Sequence, residues 1–261
     1  MKQKYEMLED SKSLDENLTL RRIIALRDFG DIKAGTIGGF IQSPENLSHD
    51  GLCWVADNAC VYGFARVSGN GIVKDRASVR RYACVYDDAV VQDYAILKDC
   101  VHVFGNAVVG LKSYLADGAT VSGNAQVFCE PLSGMPRYPN IRDYGIVTEN
   151  AQLLERAVVR DQAILRGNAI LRGHARLANH AIVSGDTVLG GCVRIMDDAM
   201  VLGQVRLGGR SAMFGKSIAY GRCKIAGRSI ITCNAVVSGN EELINFRISG
   251  DQIFCGGKVR L

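Results

Sequence analysis

The chain has 261 residues, with 31 basic and 27 acidic side chains and a formal net charge of +4. It contains no run of eighteen apolar residues, which excludes a membrane-spanning helix. The charged opening MKQKYEMLEDSKSLDENL has no apolar core, which predicts no secretion signal and a cytoplasmic protein. Glycine is high at 29 and proline low at 4, and the nine cysteines are scattered singly without a C-x-x-C pair. That usage predicts reduced, packed thiols, with neither a disulfide frame nor a zinc site.

Residues 1–52 come first. KYEML and TLRRIIALRDF read as short strands joined by a polar turn around Ser11 to Asn17, and DIKAGTIGGFI reads as a glycine-rich bend. The segment is expected to be a small β cap over the first coil of a solenoid, because an open solenoid end is a pairing hazard. GTIGGF is not a phosphate loop, since the lysine of that motif and the helix after it are both missing.

From Cys53 a six-residue beat begins: CWVADN, ACVYGF, ARVSGN and so on, thirteen units in register to Glu130. Position one is small, and position three is Val, Leu or Ile. Two residues apart on a strand, they face the same side. Positions two and four are mixed and point outward. Positions five and six are rich in Gly, Asp and Asn, which tolerate positive φ and turn corners. Each hexad is therefore a short strand plus a corner, and three of them close a coil of 18 residues. A fixed six-residue phase is a solenoid signature and excludes a sandwich or meander. Residues 18 apart stack, so Asn70, Asp88, Asn106 and Asn124 form one corner column able to hydrogen-bond along the axis.

PLSGMPRYPNIRDY, residues 131–144, breaks the beat and shifts it by two. It is expected to protrude as a loop, which is either an ordinary surface excursion or one whose Arg137, Tyr138, Arg142 and Tyr144 contact a ligand. The beat returns at Gly145 as GIVTEN and holds to Leu261. Together the two stretches make about eleven coils, a parallel β-helix. At the C-terminus Arg247 falls on a position meant for a small inward residue, and no capping helix follows, so the last coil is read as frayed or covered by a partner.

The hexads, with the leader LRDFGDIKAGTIGGFIQSPENLSHDGLCWVADNACVYG from Leu26 to Gly63, resemble the YdcK-like branch of the bacterial hexapeptide-repeat family. That branch is also common in phage and prophage genomes. The resemblance covers almost the whole chain. It implies an all-β, single-stranded left-handed parallel β-helix, often a homotrimer, in a family that includes CoA-dependent acyltransferases with an outward histidine as general base. It further implies that an excursion loop lies over the substrate cleft of a neighbouring subunit.

The four histidines are His49, His102, His174 and His180. His174 and His180 fall on different corners and do not meet. The zinc-binding histidine spacing of the related γ-class carbonic anhydrases is not reproduced, and a paired His and Asn signature is missing. Cys84, Cys129 and Cys223 have no histidine at a matching stack position. No catalytic residue is therefore assigned, and each histidine reads as a surface residue.

Charge is uneven. Residues 199–261 carry nine basic and three acidic side chains, and no acidic residue occurs between Asp198 and Glu241. Arg206 and Lys224 are 18 apart on one outward face, and Arg210 and Arg228 are 18 apart at its corner. Stacked like charges repel, and a bound anion offsets the repulsion through charge-assisted hydrogen bonds. With Arg222 and Tyr220 beside them, these residues form a candidate phosphate-binding ladder, against which stands a simple solvated basic face. Phe214 and Tyr220 stand ready to stack on a base. The narrow patch nevertheless suits a nucleotide or a CoA phosphate better than nucleic acid. These features point to a non-catalytic, oligomeric binding module for a phosphate-bearing small molecule, such as a phage-encoded sequestering protein. The alternatives are a CoA-dependent acyltransferase and a structural spacer.

Overall fold

A computed structural model describes residues 3–15, 18–128, 138–255 and 258–260. The described residues are all-β apart from one short 3₁₀ turn at Pro44–Asn46, and they build the parallel β-solenoid that the hexads predict. Among them no helix is long and apolar enough to cross a membrane. The chain forms two compact units, residues 1–124 and 125–261.

The first unit opens with β1 (Tyr5–Asp15), β2 (Leu18–Ala25) and β3 (Ile37–Ile41). β1 pairs antiparallel with β2 and β2 antiparallel with β3, while β3 runs parallel to the solenoid strand Cys60–Gly63. The cap is thus an extension of one solenoid sheet. Two expectations change. Ser11 to Asp15, read as a turn, continues β1, and the second half of the glycine-rich bend, Ile37–Ile41, is a strand, while residues 31–36 turn as expected. Gly39 is needed there for close approach: a Cβ at that position would stand 2.6 Å from the Ala59 carbonyl oxygen.

Polar side chains close the end of the solenoid. Lys4 is fully buried and its Nζ donates to the Cys53 carbonyl at 2.9 Å and to the Cys53 Sγ at 3.2 Å. Burial holds this ammonium below the ordinary lysine range, against the pull of Cys53. Asn46 is also fully buried. Its Nδ2 donates to the carbonyls of Gly63 and Ala65, and its Oδ1 accepts from the amides of Gln42 and Ser43.

Strands from Trp54–Val55 to Thr120–Val121 then make four coils of three strands. Trp54 pairs with Ile72, Ile72 with Val90, and Val90 with Val108, each step 18 residues. Positions one and three are sealed: Ala59, Val61, Ala77, Val79, Ala95 and Leu97 are all 0% exposed. Position five carries the positive φ, as at Asp57, Asp75 and Asp93. Its carboxylate accepts the position-five amide one coil on, from Asp75 to Asp57 at 3.0 Å and from Asp93 to Asp75 at 3.0 Å. Two links of the expected Asn column form, with Asn70 donating to Asp88 at 2.8 Å and Asn106 to Asn124 at 3.0 Å.

The second unit holds strands from Gln126–Phe128 to Ile253–Cys255, seven coils of three, which brings the total to eleven. Gln126 pairs with Gln152, a step of 26, so the excursion adds eight residues to one coil. Asn140–Ile141 is already a solenoid strand, paired with Val158–Val159. The hexads therefore resume at Pro139 and not at Gly145. Pro139 is buried at position one, which the small-residue pattern did not admit. Residues 131–137 lie outside the described residues.

One coil later in this unit is a residue short. Ile230 pairs with Arg247, a step of 17. Arg247 is thereby moved to outward position two, where it is exposed, and the inward slot read for it does not exist. The chain ends in a hairpin, Ile253–Cys255 antiparallel to Lys258–Arg260, which covers the last strand of its sheet.

Replacing Asn46 by Ala orphans two carbonyls and two amides in the closed end. It is expected to cost about 3 kcal/mol. A urea titration of the variant should show an earlier midpoint, with the change confined to the transition that the first unit contributes.

Candidate functional site

The solenoid decides which outward side chains meet, because a residue faces those 18 positions before and after it. The basic ladder lies in the second unit. Arg206 and Lys224 are in register on neighbouring strands and both are exposed. Arg210 and Arg228 sit at the corner that ends those strands, and Arg222 at the corner that precedes Lys224, all exposed. Tyr220 is 47% exposed on the preceding face, in register with Leu202.

The expectation that nothing acidic relieves these cations is corrected. The next strand places Glu242 beside Lys224, and the Lys224 Nζ donates to the Glu242 Oε1 at 2.5 Å. The acid-free interval ends one residue short of that stack, so a count along the chain misses a pair that the coil makes. Arg206, Arg210, Arg222 and Arg228 have no ion pair among the described residues. Of the loop residues, Arg137 lies outside the described residues and Tyr138 is half-buried beside Pro139. Arg142 holds outward position four of a solenoid hexad and Tyr144 its corner, with the Arg142 Nε 3.6 Å from the Asp143 Oδ2.

The histidines separate by environment. In the first unit, His49 stacks on Tyr5 with ring centroids 4.4 Å apart, and its Nδ1 accepts the Lys4 amide at 3.3 Å. Burial first, then the Lys4 charge, hold His49 below the ordinary imidazole range. It is a structural ring of the closed end. His102 is exposed and meets the edge of Tyr86 at 6.2 Å. In the second unit, His174 is exposed at a corner with no carboxylate partner among the described residues.

His180 differs. Its Nδ1 lies 3.5 Å from the Asp198 Oδ1, and both side chains are more than half exposed. The two hold position six of hexads three units apart, 18 residues in sequence. They line an open recess with Asp161, Gln162, Asn179 and Asp197. Its neighbours are already engaged: Asn179 donates its amide to Asp161 at 3.0 Å and its Nδ2 to Asp197 at 2.9 Å, while Asp197 also accepts the Gly215 amide at 2.9 Å. Asp198 is left to face the imidazole. A carboxylate that hydrogen-bonds to Nδ1 favours the tautomer that presents Nε2 as a base, and Asp198 stands within reach of that bond. Sequence reading missed this pair, although the same arithmetic that aligned Arg206 with Lys224 aligns His180 with Asp198.

Burial pushes the thiols of Cys84 and Cys223 up, which suppresses their thiolates and argues against cysteine catalysis; Cys129 lies outside the described residues.

No protein-family model matches the chain. A protein of Escherichia coli K12 named as the uncharacterized acetyltransferase YdcK is 40% identical over 75 residues, a stretch covering 26% of this chain and 23% of the relative. The match thus spans about a quarter of that protein's length, and it agrees with the branch that the leader resembles. The UDP-N-acetylglucosamine acyltransferase of Francisella novicida is similar at a TM-score of 0.33 and 13% identity, over 74% of this chain and 66% of that one. The enzyme of Bacteroides fragilis gives 0.32 and 15%, over 72% and 68%.

The reading of the chain as a non-catalytic binding module is corrected by the first of these. The relative that shares 40% identity is named as an acetyltransferase, not as a binder or sequestering protein, and a lean away from catalysis is not supported.

The exposed thiols of Cys100, Cys192, Cys233 and Cys255 should be alkylated by iodoacetamide well before those of Cys53, Cys60 and Cys223, which are buried. Peptide mass measurement over a time course checks the order.

Proposed function

We propose that the chain is an acyltransferase that uses a CoA thioester as donor, with His180 as general base and Asp198 as the group that orients it. The observation that carries this reading is the 3.5 Å approach of the Asp198 Oδ1 to the His180 Nδ1. Contacts of this kind are often long before substrate binds and tighten in the complex. The acetyltransferase name of the relative at 40% identity supports the same class.

The chemistry asks three things of the chain. A base must take the proton of an acceptor hydroxyl or amine as it attacks the thioester carbonyl, which is the role of His180 Nε2; the C–S bond then breaks and the imidazolium returns the proton to the departing CoA thiolate. The imidazolium that forms must be stabilised, which Asp198 does by its charge. The donor's phosphates must be held, a role suited to the guanidinium groups of Arg206, Arg210, Arg222 and Arg228; these stand away from the His180 corner of the coil, so the reading brings them to the donor from a neighbouring subunit of the trimer. Lys224 contributes less, because Glu242 already neutralises it. The homotrimer implied by the resemblance belongs to this reading.

The test uses acetyl-CoA with a panel of small amines and sugars, following release of CoA by mass spectrometry. His180→Asn should lower turnover by 10²-fold or more and Asp198→Asn by less, as the magnitude of general base catalysis suggests, roughly 10²–10⁴. Arg210→Gln with Arg228→Gln should raise the KM for acetyl-CoA while leaving the unfolding midpoint nearly unchanged, since both side chains are exposed. Unchanged turnover in His180→Asn sinks the catalytic assignment. Light scattering over a concentration series should give three times the chain mass of 28.3 kDa.

A further inference from the structure

In the first unit a second recess opens between β1 and the solenoid. It is lined by Lys12, Leu14, Phe40, Cys60, Tyr62 and Arg76, with Asn58 and Ser78 at its edge. Its charge is one-sided. No carboxylate is among the lining residues, and neither Lys12 nor Arg76 has an ion pair among the described residues.

Both cations are positioned. The Lys12 Nζ stands 5.5 Å from the centre of the Phe40 ring, and its polar partner is the Cys60 Sγ at 3.5 Å, a weak acceptor. The Arg76 guanidinium lies 5.6 Å from the centre of the Tyr94 ring. A third cation stands behind the wall. Arg80 donates from Nη1 to the Tyr62 hydroxyl at 3.0 Å, while its buried Nε has no partner. Arg22, by contrast, is already neutralised: it stacks on Phe40 at 4.2 Å and donates to Asp10 at 2.8 Å. Nearby Asp57 and Asp75 are turned to the backbone, accepting the amides of Asp75 and Asp93.

A lysine and an arginine without acids, held over apolar and aromatic walls, match one ligand chemistry. The cations fit an oxyanion of more than one negative charge, and Phe40, Leu14 and Tyr62 fit an apolar or aromatic body attached to it. The Tyr62 hydroxyl, polarised by Arg80, adds a directed donor. We propose that this recess binds an organic phosphate monoester, with Lys12 and Arg76 holding the phosphate and Phe40 and Tyr62 holding the group that bears it. The proposal is independent of the acyl-transfer reading, which rests on residues of the second unit.

The probe is phenyl phosphate, titrated into the full chain by calorimetry, with phenol and inorganic phosphate as controls. Phenyl phosphate should bind more tightly than either control. Lys12→Gln and Arg76→Gln should each weaken it roughly tenfold or more, the loss of one charge-assisted contact. Both side chains are exposed, so the unfolding midpoints should stay with the parent. Added potassium chloride should weaken binding in the parent, a readout that needs no variant. The proposal is overturned if the parent fails to bind phenyl phosphate, or if either variant binds it as the parent does. It is equally overturned if phenol or inorganic phosphate binds as tightly, or if salt leaves the affinity unchanged. Activity of His180→Asn bears on none of these outcomes, so the two readings fail separately.

Discussion

Each described corner of a coil carries at least one residue at positive φ, and the amide of that residue needs an acceptor. This pair of demands governs the molecule. Along each coil, amides at positions two, four and six donate to carbonyls of the next coil, as Trp54 does to Gly71, Ala56 to Val73 and Asn58 to Asp75. The position-one amide closes a turn onto position four of the previous hexad, as Ala59 does to Ala56. Asp at position five serves twice. It tolerates the left-handed backbone, and its carboxylate takes the position-five amide above it. Where glycine replaces it, the stacked backbones close in: at Gly185, φ +84°, a Cβ would lie 2.5 Å from the Gly203 carbonyl oxygen.

Once the backbone is satisfied in this way, the outward residues are placed by counting. That is why chemistry appears as columns. The His180–Asp198 contact, the Lys224–Glu242 ion pair and the Asn70–Asp88 bond all come from a step of 18. They differ in consequence because they differ in exposure and in what else competes for each group. Asp197 sits one residue from Asp198, yet it is consumed by Asn179 and Gly215. Among the described residues, the Asp198 side chain is engaged by the imidazole alone.

The cap solves a different problem. The first coil would expose carbonyls and the apolar interior at its end. A buried lysine and a buried asparagine meet that need with donors aimed at backbone oxygens. A buried lysine without a carboxylate is costly, and its lowered pKa records the cost. The same strand pairing that brings Lys4 inward holds Lys12 over Phe40 and against Cys60, where no acid among the described residues neutralises it. One short segment thus seals a core and presents a free cation.

The sequence by itself determined the coil. The small residue, the branched residue and the Asp or Gly at fixed offsets leave no other way to bury an apolar face at period six, and the count of eleven coils comes with them. It did not reveal Pro139 as a position-one residue, because the pattern asked for a small side chain and a proline ring fits there too. Nor did it show the 17-residue step that moves Arg247 outward, since a missing residue changes the phase without changing the composition. The partners of His180 and Lys224 were legible in principle, being 18 away, but a scan along the chain treats distant acids as absent. The cap recess was not legible at all. Lys12, Phe40, Cys60 and Arg76 share no spacing rule, and only the antiparallel pairing of β1 with β2, and of β2 with β3, sets them around one opening. Local repetition fixes contacts that recur, while contacts that occur once depend on where the whole chain has turned.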